Sequence, residues 1–159
     1  MRTLDPGVYT AILSGNNGGT GTGLIELYDV TPTNSAKLAN ISTRGLIRTS
    51  PDFVIAGFII GNGSNDDVIL VRGLGPSLGS SGVSDALANP TLDLHNSNGG
   101  IVVSNDDWQN GSPVTLPPTN PLESAIQATL PPGAYTALLS GVNNGTGVGL
   151  VEVYDLGSP

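Results

Sequence analysis

A chain of 159 residues with 13 acidic and 5 basic side chains carries a formal net charge of −8, which offers phosphate backbones and anionic lipid heads little to hold and argues against a nucleic-acid partner. It has no cysteine, so disulfides, thiolate metal sites and cysteine nucleophiles are excluded. No apolar run reaches the roughly 18 residues of a membrane-spanning helix, and 23 glycines with 12 prolines point to short strands joined by turns, an all-β chain.

Residues 4–30, LDPGVYTAILSGNNGGTGTGLIELYDV, read as a β-hairpin: a Pro-Gly turn, a strand over 8–14, a Gly/Asn/Thr loop, and a second strand over 24–30 ending in Tyr28-Asp29. The same pattern returns without a gap at residues 130–156, LPPGAYTALLSGVNNGTGVGLVEVYDL, an offset of 126 positions. An isolated hairpin cannot cover its own apolar face in water. The extra copy therefore implies either a tandem array of units or a hairpin that completes a neighbouring molecule, and both make the protein one of a chain of like units. Val8, Ile12, Leu13, Ile25, Leu27 and Val30 are the residues expected at that inter-subunit contact.

The remaining chain, 31–159, is expected to hold the repeat unit. A polar connector covers 31–35, and the unit starts near Ala36. A strand over 38–43 is followed by a turn at Arg44-Gly45 and a short strand at 46–48. Residues 53–60, FVIAGFII, are apolar on both alternating faces, which predicts a strand covered on both sides, in the sandwich centre or against a neighbouring subunit. After an Asn/Gly turn at 61–66 comes a β-branched strand over 67–74, then a loop over 75–82 and a helical turn over 83–88. Short strands at 91–95 and 101–104 flank an Asn-Gly turn, a proline-rich loop spans 105–121, and strands at 123–130, 134–140 and 149–156 complete the unit. Eight or so short strands at this spacing predict a two-sheet β-sandwich of jelly-roll or Greek-key type with an additional N-terminal hairpin.

Candidate chemistry is sparse. Gly75-Pro76-Ser77-Leu78-Gly79 matches the nucleophile-elbow pattern, with Asp93 and His95 following in hydrolase order, but that elbow needs a strand-helix alternation which this sequence lacks. The bland reading, a Gly/Pro/Ser surface loop without catalysis, is preferred. His95 is the single histidine, which removes a multi-histidine metal site, and it reads as a partly exposed strand residue. Asn105, Asp106 and Asp107 place consecutive oxygen donors in one loop, with Glu123 across it, the donor type that Ca²⁺ takes; the competing reading is ordinary Asx turn chemistry. Trp108 beside that loop is either a stacking platform for a sugar ring or an anchor of the long loop. Asn40, Asn62, Asn110 and Asn144 each begin an N-x-S/T glycosylation sequon, although Asn-Gly turns alone explain three of them.

Two tracts carry a resemblance. LDLHNSNGGIVVSNDDW, followed by ESAIQATLPPGAYTALLSG and GTGVGLVEVYDL, resembles bacterial pre-peptidase C-terminal type β-sandwich domains. The LANISTRG…GFIIG…VILVRGLGPSL half is similar to repeat-bearing surface proteins of environmental bacteria. The resemblance implies an extracellular or cell-surface repeat module of bacteria without catalysis of its own. The duplicated hairpin makes copies of itself the expected partners, and Trp108 and the sequons add glycans. The expectation is thus a structural subunit or repeat of an extracellular filament or surface array, assembling head to tail through β-strand contacts in a pilus-like manner. The alternative is a calcium- or carbohydrate-binding accessory module of a secreted protein.

Overall fold

The computed structural model describes residues 2–30, 38–61 and 65–157, and the chain divides into two compact units, Met1–Leu38 and Ala39–Pro159. The expected unit start at Ala36 and the sequon at Asn62 lie outside the described residues.

Among its described residues the larger unit contains eight strands: β1 (Asn40–Ile47), β2 (Val54–Ile60), β3 (Asp67–Leu74), β4 (Pro90–Asn96), β5 (Ile101–Asn105), β6 (Ser124–Leu130), β7 (Gly133–Gly141) and β8 (Gly147–Asp155). They form two antiparallel four-stranded sheets, ordered β1-β8-β3-β6 and β2-β7-β4-β5. That is the jelly-roll order, which decides between the two sandwich types expected. Alternation explains the layers. In β4 Leu92 and Leu94 turn inward, in β7 Tyr135, Ala137 and Leu139, and in β8 Val151 and Val153, meeting Ile47, Val71 and Ile126 in one core.

Four local expectations change. Arg44-Gly45 is not a turn: β1 runs through it, because Gly45 lets β1 pass Val54, whose Cγ2 lies 2.9 Å from where a Cβ would stand. The apolar run at 53–60 is an edge strand, with Val54, Ala56 and Ile60 inward but Ile59 75% exposed. Among the described residues of one chain the outer face of β2 is therefore open, so the sandwich centre does not supply its second cover. The helical turn expected at 83–88 is absent, and a 3-10 helix instead occupies Pro76–Ser81, where Pro76 sits in its first turn.

The fourth change concerns residues 130–156. Their two strands do not pair with each other as a hairpin: β7 pairs with β2 and β4, and β8 with β1 and β3. The segment is an arch that crosses from one sheet to the other. A 3-10 tip at Val142–Asn144, with Asn143 and Asn144 at positive φ, carries the chain over the gap between layers. A hairpin and an arch both alternate apolar and polar residues, so the pattern alone does not separate them.

Within the N-terminal unit, residues 2–30 form no strand ladder, and their one regular element is the 3-10 turn Asn16–Gly18. Its conformation nonetheless repeats the arch. Asn17 (φ 51, ψ 38) matches Asn143 (φ 54, ψ 36). The hydroxyl of Tyr9 donates to the Asp5 carbonyl at 2.7 Å, as that of Tyr135 does to the Pro131 carbonyl at 2.9 Å.

Candidate interaction site

The arch is what the two units have in common, and its inner residues are in opposite environments in the two copies. Leu139 and Val151 are fully buried, whereas their counterparts Leu13 and Ile25 are 56% and 48% exposed. Val8, Ile12, Leu27 and Val30 are exposed as well, so all six expected contact residues present apolar surface. Leu139 and Val151 are covered because they face the core between the two sheets.

The outer face of β8 carries a polar cluster. Arg72 on β3 donates from Nε to the Glu152 carboxylate at 2.9 Å and from Nη2 to the Tyr154 hydroxyl at 2.8 Å, with its guanidinium 5.0 Å from the Tyr154 ring. Burial raises the Tyr154 phenol above its ordinary value, the Glu152 carboxylate adds to the rise, and the Arg72 charge opposes it. Sequence reasoning missed Arg72, although an isolated arginine in a β-branched strand is itself a signal; its place opposite Glu152 follows from strand pairing.

Several of the residues considered for chemistry make contacts within the fold. Glu123 is fully buried. Its Oε1 accepts from the Gly75 and Ser77 amides at 3.3 and 2.9 Å and from the Ser77 hydroxyl at 2.5 Å, and its Oε2 accepts from the Asn120 amide at 3.4 Å. The carboxylate thus pins the 3-10 helix to the long loop, a role that the sequence reading missed. Ser77 has Glu123 as its partner, while Asp93 accepts from Ser104 and His95 Nδ1 lies 3.0 Å from the Gly99 carbonyl. The three do not come together as a triad.

Asn105 is buried and bridges strands, its Oδ1 accepting from the Ala125 amide at 2.8 Å and its Nδ2 donating to the Asp107 carbonyl at 3.0 Å. Asp106 is exposed. Asp107 Oδ2 accepts from Asn110, and its Oδ1 is buried without a hydrogen-bond partner among the described residues. No group of three or more His, Cys, Asp or Glu side chains converges as for a metal among those residues. Trp108 Nε1 donates to the Asn120 carbonyl at 3.1 Å, so it ties the loop down. Asn40 opens β1, Asn110 ends a 3-10 turn, and Asn144 lies at the exposed arch tip.

No family model matches the chain, and no curated protein matches it. Among solved structures it is similar to the pre-peptidase C-terminal domain of a collagenase from Bacillus anthracis, at 14% identity and a TM-score of 0.47, over 72% of this chain and 89% of that one. No helix among the described residues is long and apolar enough to cross a membrane.

Proposed function

We infer that the protein is a non-catalytic, extracellular unit of a bacterial filament or surface array, joined head to tail to like units through β-strand contacts made by residues 4–30. One observation carries this reading: the tip turn and the tyrosine hydrogen bond of residues 130–156 recur in residues 4–30, whose apolar side chains are exposed where their counterparts are buried. Burying a side chain such as Leu13, Ile25 or Leu27 gains roughly 1.5–3 kcal/mol each, so the exposed copy has a strong drive toward a partner. The partner with matching strands is another sandwich of this kind, and a contact that does not close on itself propagates.

Sedimentation velocity over a concentration series, with electron microscopy of the heaviest fractions, tests the idea. Assemblies are expected for the intact chain and not for a chain carrying Ile12→Ser, Leu13→Ser, Ile25→Ser and Leu27→Ser. An intact chain that stays a dispersed monomer throughout refutes it.

A second reading, a cation-binding accessory module, is supported by the buried, unpartnered Asp107 Oδ1. Ca²⁺ is the cation suited to such an oxygen, with Asn105 and Asp106 beside it in the same loop. Glu123 would contribute only by giving up the donors that its two oxygens now hold.

A further inference from the structure

We propose that residues 4–30 are a second occupant for the slot that residues 130–156 fill, able to enter the sandwich of their own chain between β1 and β3 in one sheet and between β2 and β4 in the other. This stands independently of any array, because it concerns one chain with two arches and one place for them.

The correspondence holds at each inward position. Tyr135, Ala137 and Leu139 are matched by Tyr9, Ala11 and Leu13, and Val151 and Val153 by Ile25 and Leu27. The demanding positions are the glycines. A Cβ on Gly149 would stand 2.7 Å from Ile47 Cδ1, and Gly147 has φ +149 with Leu87 backbone 2.8 Å from its Cβ direction. Gly147, with backbone beside it and a positive φ, admits only glycine, and at Gly149 a larger residue would displace Ile47; the counterparts of Gly147 and Gly149 are Gly21 and Gly23. The outer face matches too: Glu152 and Tyr154, which hold Arg72, correspond to Glu26 and Tyr28. An arch entering in this register brings Glu26 to Arg72 and sets Glu26 opposite Ser42, where Glu152 now lies.

The connection also reaches. The Asp155 amide donates to the Ala39 carbonyl at 3.1 Å, so the end of β8 lies beside the start of β1. With Asp29 in place of Asp155, residues 30–38 have only to join neighbouring strands about 5 Å apart, well within their span at roughly 3.3 Å per residue. Entry from the N-terminal side would turn the sandwich into a circular permutant of itself. The two occupants differ in fit: Ile25 and Leu27 each add a methylene to a packed interior, which favours the C-terminal arch. The N-terminal arch is thus the reserve occupant, and whichever arch is outside is the exposed one.

The test uses the full chain. Leu139→Asp with Val151→Asp disables the C-terminal arch, and Leu13→Asp with Ile25→Asp disables the other. With the C-terminal arch alone disabled, the chain is expected to keep a cooperative melting transition, which disappears when both are disabled. Because the protein has no cysteine, Ser42→Cys with Glu26→Cys reports occupancy: adjacent-strand spacing permits a disulfide. Its intramolecular yield under mild oxidation is expected to rise several-fold when the C-terminal arch is disabled. Equal unfolding of the singly and doubly disabled chains overturns the proposal. So does a folded chain in which the disulfide fails to rise, or forms only between molecules.

Discussion

Replacing Glu123 with alanine is expected to be among the most damaging single changes in the sandwich, and its size follows from the hydrogen bonds lost. The carboxylate is fully buried, and its removal leaves the Gly75 amide, the Ser77 amide and hydroxyl, and the Asn120 amide without their acceptor. Hydrogen bonds to a charged group contribute about 1.5–3 kcal/mol each, and an orphaned buried donor costs about 1–3 kcal/mol. The bonds at 3.3 and 3.4 Å count toward the low end, and some freed donors gain water as the 3-10 helix shifts. A net loss of about 3–5 kcal/mol results, in the range measured for breaking one side of a buried charged network. Glu123→Gln keeps the acceptor toward Ser77 but turns an N–H toward the Asn120 amide, so it should cost about 1–2 kcal/mol. At roughly 3–5 °C per kcal/mol for a unit of this size, the alanine variant melts about 10–20 °C lower. Thermal unfolding followed by circular dichroism reads this directly. A midpoint within about 2 °C of the parent chain would refute the assignment of Glu123 as the tie between the 3-10 helix and the long loop.

The two arches respond differently to the same truncation: Leu139→Ala should cost about 2–5 kcal/mol, and Leu13→Ala at the exposed counterpart less than about 0.5 kcal/mol, as measured by denaturant unfolding of each. If a cation occupies the loop of Asn105, Asp106 and Asp107, millimolar Ca²⁺ raises the melting midpoint by linkage, and Asp106→Ala with Asp107→Ala abolishes the shift; an unchanged midpoint in the parent chain removes that reading. The raised Tyr154 phenol means that the folded state holds this proton more tightly than the unfolded one. Its contribution is therefore intact below the unfolded value of about 10 and lost as pH rises beyond it. Melting curves from about pH 9 to about pH 11 should show a fall that Tyr154→Phe reduces; an equal fall in both chains refutes it.

By itself the sequence determined the strands and their faces. The alternation in β4, β7 and β8 is a property of consecutive residues, because neighbouring side chains on a strand point to opposite sides. The two-sheet sandwich, the turn around Asn96 to Gly100 and the recurrence of residues 4–30 at 130–156 were legible for the same local reason, but the jelly-roll order was not. Only the tertiary structure decided which strands lie beside which. Residues 130–156 alternate equally well as a hairpin or as an arch, and it is the packing of β7 against β2 and β4, and of β8 against β1 and β3, that makes them an arch. Glu123 and Ile59 show the same limit from opposite sides. Glu123 reads as a donor open to a cation, yet it is buried because three donors of Gly75 and Ser77, far off in sequence, converge on it. An isoleucine in an apolar run reads as covered, yet Ile59 faces solvent because it points to the outer face of its sheet, which no other described residue of its unit overlies. Burial is set by partners distant in sequence, and no local pattern records where those partners fall.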